Sequence, residues 1–387
     1  MGTIPYGRQD ITPEDIAAVV DVLQSDWLTQ GPKVPEFEAA LASCCGARYA
    51  VVVSSATAAL HLACIAAGLQ GGDRLWTSPI TFVASANCGR YCGATVDFVD
   101  IDPHTYNLSV SALADKLAIA KKQGTLPKVV IPVHLAGQSC EMAALAELAQ
   151  TYSFTLIEDA SHALGGHYRG RPIGCCEFST MAVFSFHPVK IITTGEGGAI
   201  LTNDPGLYQQ LIRLRSHGIT RDPQHMVSDS HGPWYYQQLE LGFNYRMTDL
   251  QAALGLQQLQ RLDQFVERRR FLAQRYHQSL ADLPLTLPFQ HPDTRSSWHL
   301  YIIRLKRDQI QASHREVFEA LRSLGIGVNL HYIPVHTQPY YQQLGFQWGD
   351  FPNAEAYYQE AISLPLYYGL TLAQQDQVIQ ALKQVLA

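Results

Sequence analysis

The chain has 387 residues, 47% of them apolar and 16% charged, and a formal net charge of −6. This is the composition of a globular protein long enough for a large core, in one large and one smaller domain, and its mildly acidic balance excludes a basic surface for nucleic acid or anionic membrane. No run of 18 apolar residues occurs, and residues 1–20 carry Arg8, Asp10, Glu14 and Asp15 with no apolar signal core, so a cytoplasmic protein without a membrane segment is expected.

Ile4-Pro5-Tyr6-Gly7-Arg8 leads into a helix over about residues 13–25, with Thr12 as N-cap, Pro13 at the first helical position and Asp15 completing an approximate capping box. The loop Asp26 to Pro32 follows. Its Trp27 suits a ligand wall or a tucked-in ring equally. Residues 34–45 read as a helix with Phe37 and Leu41 on one face. Tyr49–Val53 is a strand, Ser54-Ser55-Ala56-Thr57 a small hydroxyl-rich turn, and Ala58–Ala67 an apolar helix ended by Gly68. Strand, turn and helix in that order present free N–H groups and a positive helix end to an anion. A plain serine N-cap would read the same way, and no Walker lysine follows.

Strands and helices then alternate. Leu75–Ser78 is a strand and Thr81-Phe82-Val83-Ala84 opens a helix. Val96–Val99, helix 109–123, Lys128–Val133 ending in His134, helix 140–151, and Thr155–Ile157 ending in Glu158-Asp159 continue the pattern. Such alternation predicts a mostly parallel sheet covered by helices on both faces, with ligands beyond the carboxyl ends of the strands. Ser55, Phe82, His134, Asp159 and Lys190 all fall at or just past those ends.

Lys190 lies between two apolar stretches, Ala182–Phe186 and Gly198–Leu201, in Ser185-Phe186-His187-Pro188-Val189-Lys190 and ahead of Gly195-Glu196-Gly197-Gly198. Lysine is rarely buried without a partner. A desolvated one loses its proton easily and forms a Schiff base with a carbonyl; a surface loop lysine is the plain alternative. Residues 220–238 form a loop whose His225 and His231 lack metal-ligand spacing, so no metal is expected. From Thr248 one long helix is predicted, striped by Leu250, Leu254, Leu256, Leu259, Leu262 and Val266. It joins a large domain (1–260, N-terminal segment included) to a small one (261–387). There strand 298–305, helix 314–324 and an extended Val328–His331 suggest an α+β unit. The eight cysteines, including Cys44-Cys45, Cys175-Cys176 and the Cys88/Cys92 pair, lack zinc or redox spacing and read as buried, reduced thiols.

One cofactor would use these positions together. Pyridoxal 5′-phosphate needs an amine for its aldehyde (Lys190), donors for its phosphate (Ser55, Ala56, Thr57, Ser185), a carboxylate at its pyridine nitrogen (Asp159) and a cover for its ring (Phe82). His162, three residues after Asp159, could reach the ring hydroxyl.

The chain resembles the DegT-type sugar-nucleotide aminotransferases over essentially its full length. The residues that carry this are Ser54-Ser55-Ala56-Thr57-Ala58-Ala59-Leu60, Thr81 to Asn87, Glu158-Asp159-Ala160-Ser161-His162, Ser185 to Lys190, Gly195-Glu196-Gly197-Gly198 and Asn244-Tyr245-Arg246-Met247-Thr248-Asp249. The resemblance implies an aspartate-aminotransferase-like α/β fold (fold type I), with a mostly parallel seven-stranded sheet and a smaller α+β C-terminal domain. It implies Lys190 as Schiff-base lysine and general base, Asp159 on the pyridine nitrogen, Phe82 stacked on the ring and His162 near it. Ala56, Thr57 and Ser185 would contact the phosphate, and Asn244 would reach the phosphate in a neighbouring subunit, giving a homodimer with shared sites.

Within that family, Tyr6-Gly7-Arg8-Gln9, Leu330-His331-Tyr332-Ile333-Pro334-Val335-His336 and Gln338-Pro339-Tyr340-Tyr341 look most like the pseudaminic acid branch. That implies a UDP-4-keto sugar acceptor, L-glutamate as donor with 2-oxoglutarate released, and UDP-4-amino-4,6-dideoxy-N-acetyl-β-L-altrosamine as product. Substrate contacts would map to Tyr6, Asp26, Trp27, Leu28, Thr29, His331, Tyr332, Ile333 and Pro334. Other nucleotide-linked 4-keto or 3-keto sugar aminotransferases share the scaffold. Relatives that act as dehydratases carry histidine at the Lys190 position, and a non-catalytic regulatory protein could keep the fold; the intact Lys190–Asp159 pair argues against both.

Overall fold

The computed structural model describes residues 2–386. Seven strands form the main sheet: β1 (Tyr49–Val53), β2 (Arg74–Thr77), β3 (Thr95–Phe98), β4 (Val129–Ile131), β5 (Thr155–Asp159), β6 (Met181–Ser185) and β7 (Gly198–Thr202). Their spatial order is β1-β7-β6-β5-β4-β2-β3. The run from β3 to β6 is parallel, while β7 is antiparallel to both its neighbours. Sequential parallel strands need a crossover, which helices 84–91, 110–123 and 142–152 provide.

Helices cover both faces, so the strands read as unbroken apolar runs. In β1 the alternation appears only in space: Val51 and Val53 join one core with Leu60, Leu75 and Phe98, whereas Ala50 and Val52 join another with Phe37, Leu41 and Phe184.

A smaller, antiparallel sheet pairs Leu285–Thr286, Tyr301–Leu305 and Ala361–Leu364. Leu272 and Tyr276 of helix 262–280, Leu321 of helix 314–323 and Val378 of helix 372–386 pack with Tyr301 and Ile303. Ile4 is buried in this same core and pairs with Ile326, so the N-terminal segment crosses from one sheet system to the other.

Three local readings are corrected. The helix expected from Thr248 is two helices, Asp249–Leu259 and Leu262–Leu280. Arg261 leaves helical geometry at the junction, and its guanidinium is held by Asp10 at 2.7 Å and Asp15 at 2.9 Å. An apolar stripe runs through such a break without registering it. Val328–His331 is no strand: only Asn329 pairs, with Ser363. Of the cysteines, all free, Cys44 is exposed and Cys92 and Cys175 are half-buried. No helix among the described residues is long and apolar enough to cross a membrane.

Candidate active site

A cavity of about 580 Å³ opens beyond the carboxyl ends of the central strands. Its walls include Ser55, Ala56 and Thr57 after β1, Phe82 after β2, Asp159 and His162 at and after β5, and Ser185 at the end of β6 with Lys190 beyond it. Residues flanking the smaller sheet close it, His299, Asn329, Leu330, His331 and Tyr332, together with Tyr6 of the N-terminal segment.

The turn after β1 is built for an anion. Helix 56–66 begins two residues earlier than the sequence pattern suggests. Ser55 is its N-cap, accepting the Ala58 N–H at 3.1 Å. The N–H groups of Ala56 and Thr57, in the first turn, have no intrahelical acceptor and form the positive end of the helix dipole. The glycine turn makes room here: a Cβ on Gly198 would stand 2.5 Å from Ala56 N and 2.6 Å from Ser55 C.

Lys190 has its own N–H bonded to the His187 carbonyl at 2.9 Å. Burial lowers its pKa from 10.5 to about 8, opposed by the negative charge of Asp159. Asp159 is the last residue of β5. Its Oδ1 accepts the Ser161 N–H at 3.1 Å and its Oδ2 the Ser85 hydroxyl at 2.6 Å.

His162 is buried, and its Nδ1 accepts the Ala136 N–H at 3.2 Å. Desolvation, then the Lys190 charge, holds its pKa well below the ordinary histidine value. The ring is therefore neutral with its proton on Nε2, which donates to the Tyr332 hydroxyl at 3.0 Å. His299 packs against His162 with its ring tilted by 47°, at 4.4 Å between ring centroids. Phe82 is 57% exposed, at the cavity wall, with its ring 6.2 Å from that of Tyr332. His331 packs on Tyr6 at 5.3 Å and hydrogen-bonds Ser363 Oγ through Nδ1 at 2.8 Å.

Several sequence candidates lie elsewhere. His134 lies just past β4 but turns inward: Nε2 meets Glu158 at 2.7 Å and Nδ1 accepts the Cys140 N–H at 3.1 Å. Strand-end position did not tell which way its ring points. Asp26, Trp27, Leu28 and Thr29 are exposed and do not line the cavity of their own chain. Their loop is laid on the start of helix 249–259, with Thr29 paired to Thr248 and the N–H groups of Gly31 and Lys33 on the Asp249 carboxylate at 2.8 and 2.9 Å. Ile333, Pro334 and exposed Asn244 are also outside it. Sequence reasoning assigned no role to His299, Asn329, Ser161 or Glu196, which do line the cavity. Glu196, by its glycine-rich neighbours, and Ser161, between Asp159 and His162, carried a signal; His299 and Asn329 carried none.

These residues fit pyridoxal 5′-phosphate. A helix N-terminus with unfilled donors suits the phosphate, a lysine amine of lowered pKa suits the aldehyde, and a buried carboxylate with a remaining lone pair suits a protonated ring nitrogen.

Residues 9–383 match the DegT/DnrJ/EryC1/StrS aminotransferase family. The spore coat polysaccharide biosynthesis protein SpsC of Bacillus subtilis is 41% identical over 385 residues, covering 99% of this chain and 97% of its own. Among solved structures, Helicobacter pylori PseC, an aminotransferase involved in the biosynthesis of pseudoaminic acid, superposes with a TM-score of 0.89 at 32% identity over 99% of both chains. The putative sugar aminotransferase Spr1654 of Streptococcus pneumoniae, in its PLP form, gives a TM-score of 0.88 at 31% identity over 99% of this chain and 98% of that one. The chain belongs to the DegT/DnrJ/EryC1/StrS aminotransferase family, and its cofactor is pyridoxal 5′-phosphate.

Proposed function

We propose that this sugar aminotransferase moves the amino group of L-glutamate to C4 of a UDP-4-keto-6-deoxy-N-acetylhexosamine, giving UDP-4-amino-4,6-dideoxy-N-acetyl-β-L-altrosamine for pseudaminic acid biosynthesis. The observation that carries amino transfer is Lys190, an amine of lowered pKa sharing one cavity with the Asp159 carboxylate. What favours this acceptor is the full-length likeness to the Helicobacter pylori enzyme, together with His331 and Tyr332 of the Leu330–His336 segment on the cavity wall. A second reading, another nucleotide-linked keto sugar, is favoured by the 41% identity to a spore coat polysaccharide protein.

When bound, pyridoxal 5′-phosphate supplies the aldehyde that takes up amines and the ring that withdraws electrons. The protein supplies the rest. Lys190, titrating near 8, is neutral in a useful fraction of molecules at neutral pH. In that form its Nζ could condense with the aldehyde, with loss of water, and, once displaced by the donor amine, would carry a proton from the donor α-carbon to the former aldehyde carbon on the far side of the nitrogen. Asp159 Oδ2 or Oδ1 holds a proton at the ring nitrogen. The Ala56 and Thr57 N–H groups, with the Ser55, Thr57 and Ser185 hydroxyls, hold the phosphate. Phe82, on the cavity wall, would cover the ring, and His162 would act beside it through Tyr332.

The reading includes a homodimer with shared sites. Asn244 is exposed and outside its own cavity, and Ile16, Leu23, Trp27 and Leu28 leave an exposed apolar surface on the first helix and its loop, of the kind a second copy covers. In that arrangement Asn244 and Asp26 to Thr29 serve the partner's site. Eight free thiols are in keeping with a cytoplasmic enzyme.

The test is a pair of half-reactions followed by the absorption of the bound cofactor. L-Glutamate should abolish the visible band and release 2-oxoglutarate. Candidate keto sugar nucleotides are then ranked by how fast they restore it, with the product's stereochemistry read by NMR. Restoration only by a sugar of a different keto position or nucleotide would overturn the proposed acceptor while leaving amino transfer intact.

A further inference from the structure

Two buried hydroxyls stand behind Asp159. Ser85 Oγ is 2.6 Å from Asp159 Oδ2, and Thr81 Oγ1 is 2.7 Å from Ser85 Oγ. Thr81 is 2% exposed, Ser85 0% and Asp159 5%, so no solvent competes for these bonds.

Chemistry fixes their direction. An ionised carboxylate has no proton to give, so Ser85 donates to Asp159. That spends the one proton Ser85 has, and Thr81 must donate to Ser85. The Phe82 carbonyl, at 3.4 Å from Ser85 Oγ, competes for the same proton from farther away. The result is a chain of hydrogen bonds polarised one way, Thr81 to Ser85 to Asp159, in a place where such chains strengthen one another. It also ties β5, which carries Asp159, to the segment that carries Phe82. That segment is itself anchored, because helix 84–91 packs so close to the sheet that a Cβ on Gly89 would stand 2.9 Å from Val96 and 3.1 Å from Leu75.

We propose that Ser85, backed by Thr81, is a positioning residue for the transamination: it fixes the rotation of the Asp159 carboxylate and so governs how firmly that carboxylate holds the proton on the cofactor's ring nitrogen. The proposal rests on the placement of Asp159 at that nitrogen. A serine that merely starts a helix would give the fold the same help without touching the cofactor.

The test compares Ser85→Ala, Thr81→Val, Thr81→Ser and Asp159→Asn as holoenzymes. Three quantities are read: the pH dependence of the ring-nitrogen ¹⁵N shift in labelled cofactor, the split of kcat against KM for the keto sugar nucleotide, and Tm. Ser85→Ala should move the ring-nitrogen titration to lower pH and lower kcat at least tenfold with KM within about twofold. Thr81→Val should shift both less, in the same direction, and Thr81→Ser, which keeps the hydroxyl, should stay close to the parent. Should Ser85→Ala fail to fold, the Thr81 pair decides. An unmoved titration in Ser85→Ala or Thr81→Val, with Asp159→Asn displaced, overturns the relay and leaves the Asp159 assignment standing. An unmoved titration in Asp159→Asn overturns both.

Discussion

His162 donates its ring proton to the Tyr332 hydroxyl across 3.0 Å, because its other nitrogen is already filled by the Ala136 N–H. Burial, with the nearby Asp159 charge, pushes the Tyr332 phenol far above its ordinary pKa. The phenol therefore keeps its own proton throughout the working range, and with its oxygen accepting from His162 that proton is directed onward. Tyr332→Phe removes both roles. A neutral hydrogen bond contributes about 1 kcal/mol, roughly fivefold in rate, so kcat/KM should fall about fivefold to tenfold with Tm shifted by a few degrees at most. Unchanged steady-state kinetics would reduce the pair to packing.

The Lys190 pKa of about 8 sets a pH dependence that can be read on the apoenzyme. Only the neutral amine captures pyridoxal 5′-phosphate. The neutral fraction is about a tenth at pH 7 and half at pH 8, so the capture rate should climb nearly tenfold per unit below pH 7 and level off above about 9. The stability sign follows from the same shift. Between pH 8 and 10.5 the unfolded chain binds more protons at this position than the folded one, so its contribution to apoenzyme stability becomes more favourable as pH rises through that window. Stopped-flow capture across pH 6 to 11.5 checks the first point; a midpoint near 10.5 would show that Lys190 is not desolvated.

Much of this site was legible in the chain because strand ends are where alternating α/β order puts ligands. Ser55, Phe82, Asp159 and Lys190 were found that way, and all four line the cavity. His134 met the same criterion and failed, since a position at a strand end does not say whether a ring turns outward or, as here, onto Glu158. His299 and Asn329 come from the second sheet system, more than 100 residues from Lys190 in sequence, and no local pattern announces a residue brought in by long-range packing. The break at Arg261 was hidden for a related reason: its cause is the carboxylates of Asp10 and Asp15, some 250 residues away. Ser85 stood inside a quoted motif, but only its distance to Asp159 gives it a task.

Replacing the nucleophile should separate chemistry from folding. Lys190 is in a loop between β6 and β7, and its side chain makes no hydrogen bond that holds the two strands. Lys190→Ala should keep Tm within a few degrees, still bind pyridoxal 5′-phosphate through the Ser55–Thr57 turn, and lose multiple turnover by several orders of magnitude. Dialysis should strip the cofactor from this variant far faster than from the parent. Near-normal turnover would remove Lys190 from the mechanism.

Gly198 offers the sharpest structural test of the phosphate cradle. It pairs with Val53 of β1 on one side and Ser185 of β6 on the other, and its Cα lies directly under the Ser55–Ala56 peptide. An added methyl would meet Ala56 N at 2.5 Å, Ser55 C at 2.6 Å and Ala56 Cα at 2.7 Å. All three are backbone atoms, so no rotamer change relieves them. Either β7 slides out of register between its two antiparallel neighbours, or the turn lifts and carries the Ala56 and Thr57 N–H groups away from the phosphate. Overpacking of this kind costs about 1–3 kcal/mol, and the second route lowers cofactor affinity beyond that. Gly198→Ala should therefore lower the apoenzyme Tm by several degrees and weaken pyridoxal 5′-phosphate binding at least tenfold. Free inorganic phosphate, which fits the same N–H groups, should protect the parent against heat and protect the variant much less. Equal protection of both would mean that the anion is not held at this turn.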